Sequence, residues 1–578
     1  MINLFNGKSL VFTMELRMQA KRFLGLAKTM YNANVSELVV SKNSLELKTI
    51  LLERLSRKKW DGAWPLKALQ ELAVNENDYT AIVENRDLSL PSFKEELYQK
   101  QSPFYEMIES LGLEKCLSQR NANLAFMGHH TAHAYSSLFQ SPFEKCHILI
   151  MDGGGSRASD YNSCSFSQGS FLDRPNEAIE HTSLFYWNGK ELECLEKEFL
   201  SYESYSDIPY KIGEGIGSFY ERCAQLIFND NLSSGKVMGL AAFGESFFDP
   251  SLSLIEMQCK LDWKRAFKGK SKKEWQDSPH KEYWQNVAAT VQEAFEYVLG
   301  QWVSKIGHGQ PLIFSGGCAL NCVGNFKIAA NWGHKNFFVP VNPGDEGIAQ
   351  GLAYGAYLQS GGKPQITSRE SMTSSFSPVQ EDEIGLFGEF NVLKLGEDFS
   401  PLIKCLEEER AVAWFEGRSE SGQRALGHRS LLANCSQEEI KKFLNQNIKF
   451  REDFRPYGAS VLWEDAHHYF DCPEGFHNSF MSYAVPIKED KMKLLQEVAH
   501  IDGTCRMQTV HKQAHPIYHK LLEAWKEAGH EPILLNTSLN IMGEPIIEKA
   551  MELREFFEKS PLNSIVYNGY LIQKVKSV

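Results

Sequence analysis

The chain reads as an α/β protein built in two units, and three observations predict it. Short apolar runs alternate with helical stretches through the first two-thirds of the sequence. At 578 residues the chain is too long for one ordinary core, so at least two domains are expected. A polar stretch, QSGGKPQITSRESMTSSFSPVQEDE (359–383), is rich in Ser, Gly and Pro and poor in large apolar residues, and reads as the linker between them. The units are drawn at residues 1–370 and 384–578.

In chain order, residues 1–20 read as an extension ahead of the first strand, and strands are expected at 23–26 and 37–40. The segment MGHHTAHAYSS reads as a helix, on which His129 and His133 are four residues apart and share a face. The run 146–151 reads as a buried strand delivering Asp152 into the glycine turn DGGGS. A strand at 311–314 leads into SGGCALN, and PGDEG places Asp345 in another glycine-flanked turn before a helix at 345–357. Beyond the linker a second α/β unit opens with a strand at 411–415 and closes with strands at 532–535 and 564–566. No tandem repeat is visible, and loops such as 156–234 carry no motif.

Composition narrows the partners. With 43% hydrophobic and 23% charged residues the chain has a soluble globular protein's balance, and a net charge of -12 argues against duplex nucleic acid as its main partner. The 12 cysteines are scattered. Cys318 and Cys322 lack a second pair at zinc-ribbon spacing, so reduced thiols in a cytoplasmic protein are expected. No membrane partner is expected either, since no run reaches spanning length and the N-terminus lacks a signal peptide's apolar core.

Two constellations carry chemistry. His129, His133, Asp152 and Asp345 offer two imidazoles and two carboxylates, a mixed N/O set suited to Fe(II), Mn(II) or Zn(II) rather than to a soft thiolate metal. An HxxxH pair alone is more often helix surface or core, and the glycine-bordered aspartates tip the balance. The turns DGGGS, SGGCALN and PGDEG, joined by GKVMGLAAFG, let backbone N–H groups approach phosphates, and together resemble the nucleotide cleft of the actin/Hsp70/sugar-kinase superfamily. GKVM is not a Walker A loop. The second constellation is cationic and C-terminal. Arg418, Arg424, Arg429, Lys449, Arg451, Arg455 and Arg506 sit among Gly, Asn and Ser rather than among acids, which favours phosphate binding over surface ion pairs.

The motifs HHTAHAYSS, MDGGG, GKVMGLAAFG, SGGCALN, NPGDEG, GQRALGHRS, the 449–461 stretch, DGTCRMQTV and LLNTSLNIMGEPI resemble those of the NodU/CmcH-type O-carbamoyltransferases, from about residue 22 to the end. The resemblance implies an actin/Hsp70-like (ASKHA) N-terminal domain, similar to the tRNA threonylcarbamoyl transferase. It also implies a YrdC-like α/β C-terminal domain, similar to the threonylcarbamoyl-adenylate synthase. Carbamoyl phosphate and ATP, the latter with Mg, would yield carbamoyl adenylate, whose carbamoyl group passes to the hydroxyl of a small-molecule acceptor. On this resemblance Arg424 and Arg506 neutralise charge in the adenylating step, with Arg418, Arg429, Lys449, Arg451, Arg455, Asn536 and Ser538 around the substrates. Gly154, Gly155, Gly239, Gly316, Gly317 and Asn321 would hold the nucleotide, and iron leads among the metals. A homodimer is left open. One departure stands out. The family's His-Asp dipeptide after the first strand is replaced here by Tyr31-Asn32 or, one residue on, Asn32-Ala33, so Tyr31, Asn32 or Asn34 must orient the acceptor or the transfer is poor. Two other readings stay open: carbamoyl-type transfer to a macromolecule, and a nucleotide-binding regulatory or scaffold protein with an impaired transferase site.

Overall fold

The computed structural model describes residues 20–29, 32–41, 44–72, 79–85, 124–163, 174–364 and 381–575. Ten strands make two five-stranded sheets with the same topology. In the first, β1 (Lys21–Lys28), β2 (Ala33–Val40) and β3 (Leu45–Leu51) form an antiparallel meander, and β4 (Tyr79–Glu84) and β5 (Leu124–Phe126) add in parallel on the other side of β1. The second repeats the plan. β6 (Cys146–Met151), β7 (Ile179–Trp187) and β8 (Leu192–Leu200) meander, and β9 (Leu312–Ser315) and β10 (Phe337–Phe338) join in parallel beside β6. The strand orders are therefore β3-β2-β1-β4-β5 and β8-β7-β6-β9-β10. The chain holds an internal duplication of topology that its residues do not advertise.

β6 is apolar along its whole length because both its faces are covered. Ile148 and Ile150 pack toward the His129–Gln140 helix, while Leu149 and Met151 face the cluster formed by the Ile216–Phe228 and Lys281–Ser304 helices. Its tip is where Asp152 emerges. The Ile348–Gln359 helix crosses the His129–Gln140 helix so closely that a Cβ on Gly351 would lie 1.8 Å from the Ala132 carbonyl oxygen. That crossing brings the start of the second helix, with Asp345 just before it, to the start of the first.

The C-terminal half forms one nine-stranded mixed sheet. Its strands are β11 (Asn391–Lys394), β12 (Val412–Phe415), β13 (Arg429–Asn434), β14 (Gly458–Leu462), β15 (Val485–Pro486), β16 (Thr504–Val510), β17 (Ile533–Ser538), β18 (Ser564–Tyr567) and β19 (Tyr570–Gln573). They lie in the order β11-β19-β18-β12-β13-β17-β14-β16-β15. The strands expected at 411–415, 532–535 and 564–566 are β12, β17 and β18, displaced by one residue or extended. The region read as loops at 156–234 instead carries the β7–β8 hairpin and the Ile216–Phe228 helix. Its signal was the Asn188-Gly189 turn, where Asn188 Oδ1 accepts from the backbone of Lys190 and Glu191. Most of the expected linker falls outside the described residues. Among the described residues no helix is long and apolar enough to cross a membrane.

Candidate functional site

Three chain segments meet at the tip of β6. His129 and His133 project from the first turns of their helix, Asp152 follows β6, and Asp345 opens the turn before the Ile348–Gln359 helix. Their ligand atoms all lie within 4.8 Å of one another. His133 Nε2 is 3.2 Å from His129 Nε2 and 3.1 Å from Asp152 Oδ2, and His129 Nε2 is 3.4 Å from Asp345 Oδ1. Ligands at the usual ~2.0 Å from a tetrahedral ion would be about 3.3 Å apart. The four donors therefore fit around one cation. Two neutral imidazoles and two carboxylates also leave a charge that a divalent ion would balance. Without an ion, a proton does so. Burial opposes charge on His129, but hydrogen bonds to Asp152 and Asp345 outweigh it and raise His129 to about 10. Burial would raise Asp152 too, yet the two imidazoles hold it well below the usual carboxylate range.

The ligands are held from behind. Asp152 Oδ1 accepts from Gly153 N at 2.7 Å and Oδ2 from Gly317 N at 3.2 Å. The Thr29 hydroxyl lies 2.6 Å from Asp345 Oδ2 and accepts from Asn32 N at 3.0 Å, while Asn34 Nδ2 donates to the Asp345 carbonyl. Thr29, just after β1, thereby touches the His129–His133–Asp152–Asp345 cluster. Asn32 is buried there, and Tyr31 lies outside the described residues. Beneath the helix start, the fully buried Glu180 accepts from the backbone N–H groups of His130 and Ser156, from Tyr161 Oη and from Lys197 Nζ. Ser156 Oγ in turn accepts from His129 N. Glu221 and Glu346 also stand close, each raised to about 7, chiefly by burial and in part by Asp345.

The glycine turns occupy the tips of the neighbouring parallel strands β6 and β9, where ligands collect in open α/β sheets. Gly316 has φ +90°, and a side chain there would run into the Met151 carbonyl oxygen. Gly317 lies against the Asp152 carboxylate, so this turn closes on the candidate ligand cluster. Gly154 backs onto Ile179, and Gly155 backs onto Glu180 and His130. Asn321 is a helix cap, its Oδ1 accepting from Gly324 N at 3.1 Å and its Nδ2 donating to Gln292. Its side chain is thus engaged by the fold at both its oxygen and its nitrogen. Gly239 lies apart from these turns. It faces Phe454 and Pro456 of the C-terminal half, and its carbonyl meets His500 Nε2 at 2.9 Å.

The C-terminal cations divide into two groups. Arg424, Arg455 and Arg506 are half-buried at one locus, each acting on another's charge, and Arg506 Nε is buried with no hydrogen-bond partner. Burial and Arg506 lower Arg424 to about 9. Arg424 Nη2 reaches the Leu320 carbonyl, so the group lies against the SGGCALN turn. The other cations are largely taken up by the protein. Arg429 is buried, donates from Nη1 to three backbone carbonyls and stacks 3.5 Å over Phe415, so it braces β12 and β13. Lys449 Nζ is enclosed by oxygens of Ser538 and Asn540. It holds that turn, and the Ser538 hydroxyl is engaged with it. Arg451 donates to Asn445 and Pro456 and lies over Tyr457, and burial with Arg455 and Arg506 lowers it to about 10. Asn536 Nδ2 bonds Ala425, Ser460 and Gln508, an interior role. Arg418 is half-buried beside the positive-φ Gly417.

Two lysines of the N-terminal half join this locus. Lys236, in GKVM, lies with Nζ 3.1 Å from Glu452 Oε1, and Lys59 acts on Lys449 and is acted on by Arg455, Lys236 and Arg424. Neither sits in a C-terminal motif; only folding brings them there.

Comparison with known proteins accords with this layout. Residues 24–354 match the family model described as carbamoyltransferase N-terminus, and residues 403–574 match carbamoyltransferase C-terminus. The chain is 28% identical over 478 residues to nodulation protein NolNO of Sinorhizobium fredii, covering 78% of this chain and 64% of that protein. It is 28% identical over 466 residues to nodulation protein NolO of Bradyrhizobium diazoefficiens, covering 78% and 79%. It is 31% identical over 348 residues to the 3'-hydroxymethylcephem-O-carbamoyltransferase of Streptomyces clavuligerus, covering 58% and 63%. The match thus spans less than two thirds of NolNO and of the cephem enzyme. Since the N-terminal family model alone extends over more than half of its length, the chain belongs to the carbamoyltransferase family.

Proposed function

We propose that this chain is an O-carbamoyltransferase that makes carbamoyl adenylate from ATP and carbamoyl phosphate and transfers the carbamoyl group to a hydroxyl of a sugar or other natural product. The observation that carries the reading is the pairing, in a chain of this family, of an N/O metal cluster with a separate cluster of cations set against the same glycine turns. The doubled strand plan of the N-terminal half supports an actin/Hsp70-like unit at 1–370, and we read 384–578 as the YrdC-like unit. The cephem enzyme, by its name, acts on a hydroxymethyl group, which supports a small hydroxyl acceptor here.

In the first step water cleaves carbamoyl phosphate to carbamate and phosphate. A carbamate oxygen then attacks the α-phosphorus of ATP, and pyrophosphate departs. Arg424, Arg455 and Arg506 act electrostatically, neutralising charge where the anions meet. In the second step the acceptor oxygen attacks the carbamoyl carbon, AMP leaves, and the hydroxyl proton is released. His129, His133, Asp152 and Asp345 would hold a divalent metal, iron foremost with Mn and Zn as alternatives, which when bound supplies Lewis-acid polarisation of the carbamoyl carbonyl. Thr29 keeps Asp345 in place, and Tyr31 and Asn32 orient the acceptor by hydrogen bonds without taking its proton near neutral pH.

The test is pyrophosphate release that requires both ATP and carbamoyl phosphate, followed by a screen of hydroxyl compounds for a carbamoyl mass shift. Arg506→Ala should abolish the release, and His129→Ala should spare it while stopping transfer. No release from the parent protein would overturn the reading. Equal loss in both variants would refute the division of labour. The Tyr31-Asn32 departure favours one second reading, an impaired transferase acting as a nucleotide-binding protein. Single-turnover transfer that quickens when Tyr31→His and Asn32→Asp are combined would support it.

A further inference from the structure

We propose that Lys59 and Lys236, both from the N-terminal half, complete the phosphate site of the C-terminal half, with Lys59 presented to a substrate phosphate on a braced strap. This deepens the proposed function and rests on its placing the adenylating step at Arg424, Arg455 and Arg506.

The strap is residues 52–60. Its first turns form the Leu52–Ser56 helix, and Arg57 (φ 58°) and Trp60 (φ 59°) then adopt left-handed backbone on either side of Lys58 and Lys59. Two such non-glycine residues within four are unfavourable unless the surroundings impose them, and strain of this kind gathers at ligand clamps. The surroundings here belong to the C-terminal half. Arg54 donates to the Gly422 carbonyl at 3.1 Å and lies 3.5 Å from Glu548 Oε2. Arg57 donates to the Ile546 carbonyl at 2.7 Å and the Pro545 carbonyl at 3.1 Å. Trp60 N closes the strap on Glu53 Oε2 at 3.1 Å. Gly422 begins the loop that carries Arg424, so the anchors set Lys59 beside that loop.

The surrounding charges point to the ligand. Lys59 is exposed as a residue, but its Nζ lies 5.6 Å from the centroid of the Trp60 ring, and burial of that ammonium lowers its pKa first, followed by Arg455, Lys236 and Arg424, with Glu53 opposing them. Lys236 arrives from the Ser234–Ala241 helix with Glu452 as its salt-bridge partner, and Glu452 is also shared with Arg455. Five cations, Lys59, Lys236, Arg424, Arg455 and Arg506, thus crowd a locus where Glu53, Glu452 and Glu346, the last acting on Arg424, are too few to balance them. Like charges drawn together across two halves of a chain are held against repulsion, and a polyanion relieves it. With Lys449 committed to the Ser538–Asn540 turn, Lys59 and Lys236 are, among the described residues, the ammonium groups of this cluster left to meet a phosphate, whether of the ATP triphosphate or of carbamoyl phosphate.

The test uses the full chain and calorimetric titration with ATP, carbamoyl phosphate and inorganic pyrophosphate, alongside KM and kcat for pyrophosphate release. Lys59→Met should weaken binding of the phosphate it contacts about tenfold or more, with KM rising accordingly and kcat changing far less. Lys59→Arg should recover most of the loss. Lys58→Met, removing a side chain that is 74% exposed, should change nothing. A loss confined to ATP and pyrophosphate assigns Lys59 to the triphosphate, and a loss confined to carbamoyl phosphate assigns it there. Lys236→Met is the independent second variant should Lys59→Met melt early. Parent-like affinities for all three ligands in both variants would overturn the proposal. A parent that binds these ligands but releases no pyrophosphate would sink the proposed function while leaving the phosphate site standing, and a parent that binds none would sink both.

Discussion

His129 shows how a single side chain registers the cluster around it. Its pKa, raised to about 10 in the absence of metal, lies above its ordinary 6.5 because Asp152 and Asp345 favour the charged ring. A group raised on folding stabilises fully below its unfolded value and loses that contribution as pH climbs through the folded one. The melting temperature of the metal-free protein should therefore fall between pH 6.5 and about 10 more steeply than that of His129→Gln, and parallel curves would contradict this. Since the metal must displace that proton, its apparent affinity should rise with pH over the same window. His133→Ala should leave the fold intact and lose bound metal on elemental analysis. Equal metal in parent and variant would remove His133 from the ligand set.

At the scale of elements, two contacts place the cluster. Gly351→Ala would push the crossing helices apart at Ala132, at a cost of about 1–3 kcal/mol, and would carry Asp345 away from the imidazoles. Both thermal stability and metal content should drop, and a drop in stability alone would mean that the crossing does not position the ligand. The β7–β8 hairpin supplies the other support. Lys197→Met would strand the buried Glu180 carboxylate, costing about 3–5 kcal/mol, and would loosen the N–H groups of His130 and Ser156. Denaturant unfolding should show the loss, and Glu180→Gln combined with Lys197→Met should recover part of it because the charge is then gone from both partners.

For the whole molecule, the joint between halves matters as much as either half. Arg54 and Glu548 are both buried, and Glu548 also accepts from Ser419. Arg54→Met should cost about 3 kcal/mol, the low end for breaking a buried pair, because Arg429 still acts on Glu548. Calorimetry should show a lowered transition that begins to split in two. An unchanged single transition would show that the halves are coupled elsewhere.

Much of the local structure was written in the residues. The apolar run of β6, the spacing of His129 and His133, and the glycines around Asp152 and Asp345 are short-range patterns, and each determines its element without help from distant chain. The duplicated sheet was not legible, because it repeats strand order rather than residues, and β7 and β8 carry too little alternation to be read without their Asn-Gly turn. The cations show the same limit. Sequence neighbours marked Arg424, Arg429, Lys449 and Arg506 alike, but only packing decides which donors are spent on carbonyls, as for Arg429 and Lys449, and which stay open, as for Arg506. The place of Lys59 and Lys236 beside these arginines was not legible for the converse reason: Arg424, Glu452 and Arg455 lie hundreds of residues away. Composition and local spacing determine what chemistry a side chain can offer, whereas the tertiary structure decides its neighbours, and with them its charge, its free donors and its use.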